Sequence, residues 1–323
     1  MGICDAVVVA KIINATLVIP YLEVNPVCKD ASYFEDIFYV DHFMNVLKDN
    51  IFIVTELPDK YTWSTREYSA SAIRSTRVKN TPLHASANWY REHVSPVLES
   101  YGIAAISPFS HWLAFNNMPS DIQRLRCKVN FEALTFISHV RNLGDLLVNR
   151  LRFPVVESDD VAGTEYLKQV VNKEGIKSTG RFVAPHLRFD EKKALARYRK
   201  ATLQGRVMNS RFTDEELTNQ GHCPLTSEEM GLLLTALGFD NSIRLYLASH
   251  KVYSSEARIS ALRKLFPQIE DKKSLASIVE RAQINGKASL SAAVDYYVSM
   301  YSDIFVSASP GNMHNSMVRM HIS

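Results

Sequence analysis

The feature that most restricts this chain is a rhythm: segments with apolar residues at helical spacing alternate with short β-branched runs. Ala6, Val9, Ala10 and Ile13 share one helical face, and "TLVIP" follows as a strand stopped by Pro20. "DHFMNVLKD" (41–49) reads as helix and "IFIVTEL" (51–57) as strand. A helix over 87–100 precedes the strand "IAAIS" (103–107), and Val140, Leu143, Leu147 and Leu151 line one face of a helix over 139–152. The second half repeats the pattern. "RFVAPHL" (181–187) is a strand, and Thr226 with Glu229 makes a capping box ahead of "MGLLLTALG", where Gly238 suits the helix end. "RLYLAS" (244–249) is a strand, and "EARISALRKLF" (256–266) a helix ended by Pro267. A helix over 287–302, with Leu290, Ala293, Val294 and Tyr297 on one face, leads into the last strand, "DIFVSAS" (303–309).

Alternation of this kind is solved by parallel sheets with helices on both faces. Residues 1–155 and 180–323 form two such blocks, separated by the polar passage 156–179, which reads as a linker. The expected fold is α/β, with two doubly wound domains facing a cleft. A chain of 323 residues, 46% hydrophobic and 22% charged, can fill two cores. Its net charge of +3 is small and its Lys and Arg are scattered, which argues against a nucleic-acid partner. No apolar run reaches the ~18 residues of a membrane span. Asp5, Lys11 and Asn14 interrupt the apolar start, so it reads as neither signal peptide nor anchor. The four cysteines, Cys4, Cys28, Cys127 and Cys223, are too far apart for a zinc cluster and are either buried thiols or bridged pairs.

Two strand ends carry the candidate chemistry. His186 and Arg188 leave the end of "RFVAPHL" on alternate positions, hence on one face. Arg offers a fork of donors matched to a phosphate pair, and a neutral imidazole can add one more. The plainer reading pairs Arg188 with Asp190 and leaves His186 as an ordinary strand-end residue; on spacing alone it is preferred. In "SDIFVSASPGNM", Asp303 opens the strand and Gly311 and Asn312 turn out of its far end, exposing amides to a base or phosphate. An ordinary strand-to-helix turn has the same composition. GxSxG, HExxH, GxxxxGK[ST] and GxGxxG are all absent, against several hydrolase, zinc-protease, P-loop and dinucleotide readings.

The segments "GICDAVVVAKIINATLVIP", "IQRLRCKVNFEAL", "VAPHLRF", "GHCPLTSEEMGLLLTALGF" and "DIFVSASPGNM" together resemble the plant O-fucosyltransferase-like family, colinearly over nearly the whole chain. The resemblance implies a GT-B-like fold of two Rossmann-like domains, the first on the acceptor side and the second binding the donor. It implies an inverting, metal-independent glycosyltransferase without a cofactor, moving fucose from GDP-fucose to a hydroxyl of a protein or polysaccharide, in the Golgi. A relative using UDP-rhamnose, or a shortened and inactive member, is the alternative. The family's HxR motif falls on His186 and Arg188, with Arg188 holding the diphosphate and promoting its departure. Asp303 falls near the base or ribose, and Gly311, Asn312 and Met313 on the turn at the phosphate and base. Against the family pattern, the chain starts after a Gly-Gly-Leu-Asn-x-x-Arg loop, so the first strand of the N-terminal sheet is expected to be missing. Asp190 also runs directly into "EKKALARYRK", which reads as an internal deletion, and the chain closes early, at "VRMHIS".

Overall fold

A computed structural model describes residues 2–20, 30, 32–61, 76–78, 81–82, 85–106, 118–153, 180–187, 225–249, 255–308, 313–314 and 316–317. The chain divides into two compact units, one of residues 1–23 and 32–137, the other of residues 24–31 and 138–323.

In the first unit, helix α1 (Gly2–Ile12) is wrapped by the core: Cys4, Val7, Val8, Val9 and Ala10 are all buried. A helix apolar on nearly every side belongs inside a domain. Strand β1 (Leu17–Val18) pairs in parallel with β2 (Ile53–Val54), which follows helix α2 (Val40–Leu47). A second parallel pair joins β3 (Arg77–Val78) to β4 (Ala105–Ile106). The helix expected over 87–100 is two, α3 (Ala87–His93) and α4 (Ser95–Tyr101). Pro96 explains the break: it has no N–H to donate and its ring clashes with the carbonyl four residues back, so it is tolerated only in the first turn of a new helix. Helix α4 ends at Gly102, φ +70°, where a Cβ would come within 2.7 Å of the Tyr61 hydroxyl. Helix α5 (Ser120–Lys128) runs into a π-helical turn, Val129–Ala133. Neither had a signature in the apolar spacing.

The second unit holds the better-formed sheet. Its strands are β5 (Phe182–His186), β6 (Arg244–Tyr246), β7 (Ile269–Glu270) and β8 (Ile304–Ser307), all parallel, in the order β7-β6-β5-β8. Side-chain alternation puts a helix layer on each face. Val183, Leu187, Leu245 and Leu247 pack with Met230 and Leu234 of α7 (Ser227–Ala236) and with Ile259 and Leu262 of α8 (Ser255–Leu265). Phe182 and Tyr246 face the other way. The Phe182 ring lies under the Arg152 guanidinium at the end of α6 (Ser138–Arg152), and Tyr246 reaches Asp295 on a C-terminal helix. Before that helix come two short ones, α9 (Lys272–Leu275) and α10 (Ile278–Ile284), and the C-terminal helix itself is α11 (Ala288–Met300).

The expected capping box is present: Glu229 N–H donates to Thr226 Oγ1 at 3.2 Å and Thr226 N–H to Glu229 Oε2 at 2.7 Å. Gly238, φ +87°, follows the end of α7 as its left-handed residue. Helix α6 packs on α11 within this second unit, against a sequence division placed at residue 155. Gly144 makes the approach possible, since a Cβ there would stand 2.2 Å from Cδ1 of Tyr297. Ala favours a helix over Gly by about 1 kcal/mol, but overpacking costs about 1–3 kcal/mol. Gly144→Ala is therefore expected to lower the melting temperature, and an unchanged or raised one would refute this packing.

Arg150 on α6 donates to both carboxylate oxygens of Glu280 on α10, at 2.6 and 3.0 Å. Those bonds, aided by Ser277, push the Glu280 carboxyl down from its ordinary 4.5 to about 2, against the opposing effect of burial. A depressed carboxyl stabilises the fold fully above its unfolded pKa, and that contribution disappears as pH falls through the folded one. The melting-temperature gap between the wild type and Glu280→Gln should thus close between pH 4.5 and about 2. A gap independent of pH would show that the ion pair contributes nothing.

Candidate functional site

The order β7-β6-β5-β8 contains a reversal. From β5 the chain moves outward through β6 to β7, then returns to place β8 on β5's other side. In an open α/β sheet such a switch point parts the loops at the carboxyl ends and leaves a crevice where ligands bind. The two segments singled out in the sequence leave the sheet on either side of this switch.

His186 is the last residue of β5 and stands in register with Ser307, the last of β8. The pairing continues one step further, with Ala308 N–H donating to the His186 carbonyl at 3.0 Å. The ring of His186 lies over Phe305, centroids 6.4 Å apart. Its Nδ1 is 2.6 Å from the Ala248 carbonyl oxygen. A carbonyl only accepts, so Nδ1 carries the proton. The single N–H of a neutral ring is thereby committed inside the fold, contrary to the expectation that a neutral His186 adds a donor for a ligand. Through Nε2 the neutral ring accepts, and only the imidazolium donates there.

Pro185 shapes the neighbouring seam. Proline is rare in a central strand because it cannot donate to the ladder. Here its carbonyl accepts from Ala248 N–H at 3.1 Å, so its missing donor is also on the β6 side. Regular pairing of β5 with β6 covers Phe182↔Arg244 and Val183↔Leu245, and beyond it Ala248 meets β5 through its N–H on the Pro185 carbonyl and its own carbonyl at the His186 ring.

Arg188, Gly311 and Asn312 lie outside the described residues, as does the Asp190 junction. Arg188 follows two residues after His186. Met313 is half-buried in a helical turn five residues beyond Ala308. Leu225 N–H donates to the Ala308 carbonyl at 2.9 Å, which fixes the Thr226 cap of α7 beside the exit of β8.

The structure does not bring Asp303 to this edge. It precedes β8 at the amino end, about 13 Å of strand away from Ser307. Its Oδ2 accepts from Phe182 N–H at 2.9 Å, its own N–H donates to the Phe182 carbonyl at 3.1 Å, and Arg152 Nη1 stands 3.7 Å from the same oxygen. Asp303 thus ties the amino ends of β5 and β8 together, which corrects the expectation of a base or ribose contact. Asp303→Ala leaves a backbone donor unmatched and is expected to lower stability by about 1–3 kcal/mol while leaving nucleotide affinity unchanged. A loss of affinity in a fully folded Asp303→Ala protein would restore the donor-site role.

Among the described residues no group of three or more His, Cys, Asp or Glu side chains could hold a metal ion, and no helix is long and apolar enough to cross a membrane. Cys4 is a buried free thiol and Cys127 an exposed one, while Cys28 and Cys223 lie outside the described residues.

An open parallel sheet with His186 at its switch point defines a class: an α/β domain of the kind whose ligands sit at the carboxyl edge. Its family is narrower. The family model of GDP-fucose protein O-fucosyltransferase matches residues 1–321, and the chain belongs to that family. It is 63% identical over 335 residues to O-fucosyltransferase 39 of Arabidopsis thaliana and 62% identical over 333 residues to O-fucosyltransferase 31 of the same plant. These alignments take in 98% of this chain but only 66% and 64% of the relatives, so the chain spans just under two thirds of their length. Among solved structures, POFUT1 in complex with GDP aligns over 99% of this chain and 90% of its own, at 11% identity and a TM-score of 0.45.

Proposed function

We propose that this protein transfers fucose from GDP-fucose to a hydroxyl of a protein or polysaccharide, with inversion and without a metal. The observation that carries the reading is the placement of His186, in register with Ser307 at the switch point, with Arg188 two residues beyond it. Family membership and the two plant relatives named O-fucosyltransferases support the donor.

In this reading the diphosphate lies at the carboxyl edge of β5 and β8. Arg188 grips it with a planar fork of donors, and the amides around Gly311, Asn312 and Met313 face its phosphates and base. The acceptor hydroxyl attacks sugar C1 from the face opposite the nucleotide. A C–O bond forms as the hydroxyl loses its proton to solvent water. The bond from C1 to the diphosphate oxygen breaks, and its electron pair leaves with the GDP. Charge builds on that oxygen in the transition state, where a fixed cation is most effective. The Golgi is the setting proposed for this chemistry.

Titration of the purified 323-residue chain with GDP and with UDP, read by calorimetry, tests the donor. GDP should bind, UDP should bind more weakly, and EDTA should change neither. A preference for UDP would move the reading to another nucleotide sugar, and silence with both would overturn it.

A further inference from the structure

A second polar cluster lies on the His186 face of the sheet, and the donor-site reading makes no use of it. Tyr246, at the end of β6, is fully buried, and Lys272 and Asp295 are 7% and 5% exposed. Tyr246 Oη donates to Asp295 Oδ1 at 2.8 Å. Lys272 Nζ donates to Asp295 Oδ2 and also, at 3.2 Å, to the carbonyl of Ser249. Burial pushes the Asp295 carboxyl up, while Lys272 and Tyr246 draw it down; burial and Asp295 push the Tyr246 phenol well above 10. Sequestering an ammonium and a carboxylate costs several kcal/mol, and an apolar trio of similar volume would be as stable or more so. Stability alone does not account for it.

What Lys272 does beyond neutralising Asp295 is hold a backbone carbonyl. Ser249 adjoins Ala248, whose own carbonyl accepts the hydrogen bond from His186 Nδ1–H. The β5–β6 ladder is a weak anchor there, since Pro185 removes a donor on that side. Leu247 is tied to β7 through Glu270 at 2.8 Å, Ala248 to β5 by one bond to the Pro185 carbonyl at 3.1 Å, and Ser249 to Lys272 at 3.2 Å.

We propose that Lys272 and Asp295 are positioning residues: by fixing the segment Ala248–Ser249 they set the tautomer and orientation of His186 at the donor edge. The ring is thereby kept as the Nδ1–H form, although Nε2–H is the commoner tautomer of an imidazole in water. Nε2, the nitrogen without the proton, is aimed by the same bond. The consequence for nucleotide binding rests on the donor-site reading above; the effect on the ring does not.

The full chain labelled with nitrogen-15 histidine reports the tautomer directly from its ring nitrogen shifts, with His186→Gln identifying the signal. Wild type should show Nδ1–H alone. Lys272→Met combined with Asp295→Leu removes both charges together, which keeps the fold while releasing Ser249. This protein should populate the Nε2–H form and bind GDP about three- to tenfold more weakly, the worth of one hydrogen bond. A folded double variant that keeps pure Nδ1–H would overturn the proposal. Should it fail to fold, Lys272→Met combined with Asp295→Asn keeps a hydrogen-bond acceptor for Tyr246 while still releasing Ser249, and is expected to shift the tautomer the same way. An unchanged ring in that folded variant then counts against the proposal. If wild type binds no GDP, the transferase reading falls and the tautomer comparison still stands.

Discussion

Arg188→Ala is expected to weaken GDP binding by about 10- to 100-fold, since a hydrogen bond to a charged phosphate contributes about 1.5–3 kcal/mol. Turnover should fall further, by about 10²–10³-fold, because a preorganised donor acts most strongly on the charge that develops as the diphosphate leaves. Arg188→Lys separates charge from shape. It keeps the cation but loses the planar fork, so its affinity should lie between those of wild type and Arg188→Ala. The melting temperature should barely move in either variant. The competing account, in which Arg188 merely pairs with Asp190, predicts the reverse: a small change in stability and none in nucleotide affinity. Calorimetric titration of the three proteins, beside their thermal melts, decides between them.

The rhythm of the sequence carried much of the fold because the parallel strands are short and each is separated by a helix. Strand β5 was legible from its apolar run, α7 from its capping box, and α6 from residues every third or fourth position. What escaped depends on partners distant in sequence. Strand β7 has two residues, Ile269 and Glu270, and is a strand only because β6 lies beside it. Pro185 would ordinarily argue against a central strand, yet it sits in one, near the end where pairing on that side lapses. His186 was visible as one half of an alternating pair, and the sheet order places that residue at a switch point, while Arg188 lies outside the described residues. Asp303 shows the opposite. It opens β8 as its position suggested, but strand direction puts it at the wrong end for the proposed ligand, and its oxygen is engaged by Phe182. The Lys272–Asp295 pair spans 23 residues and has no local signature at all.

Asp5 taught the same lesson in the first unit, and it gives the largest expected effect on stability. In the sequence it was an interruption in an apolar run. In the structure it is 1% exposed, in the first turn of α1, and Arg126 of α5 meets it with Nη2 2.7 Å from Oδ1. A carboxylate near a helix amino end interacts favourably with the helix dipole, but burial this deep requires a cation as well. The surroundings register the charge: Tyr90, fully buried, has its phenol pushed up to about 12, first by burial and then by Asp5. Arg126→Met leaves the carboxylate in the core without its cation, a loss of about 3–5 kcal/mol. Against a total of about 5–15 kcal/mol for a typical domain, that lowers the melting temperature by roughly 10 °C or more. Asp5→Leu added to Arg126→Met removes both charges, and the double variant should recover most of the loss. Thermal melts of the two proteins supply the comparison. If the double variant is no more stable than Arg126→Met, the pair matters for its packed atoms, and the stranded charge is not the cause.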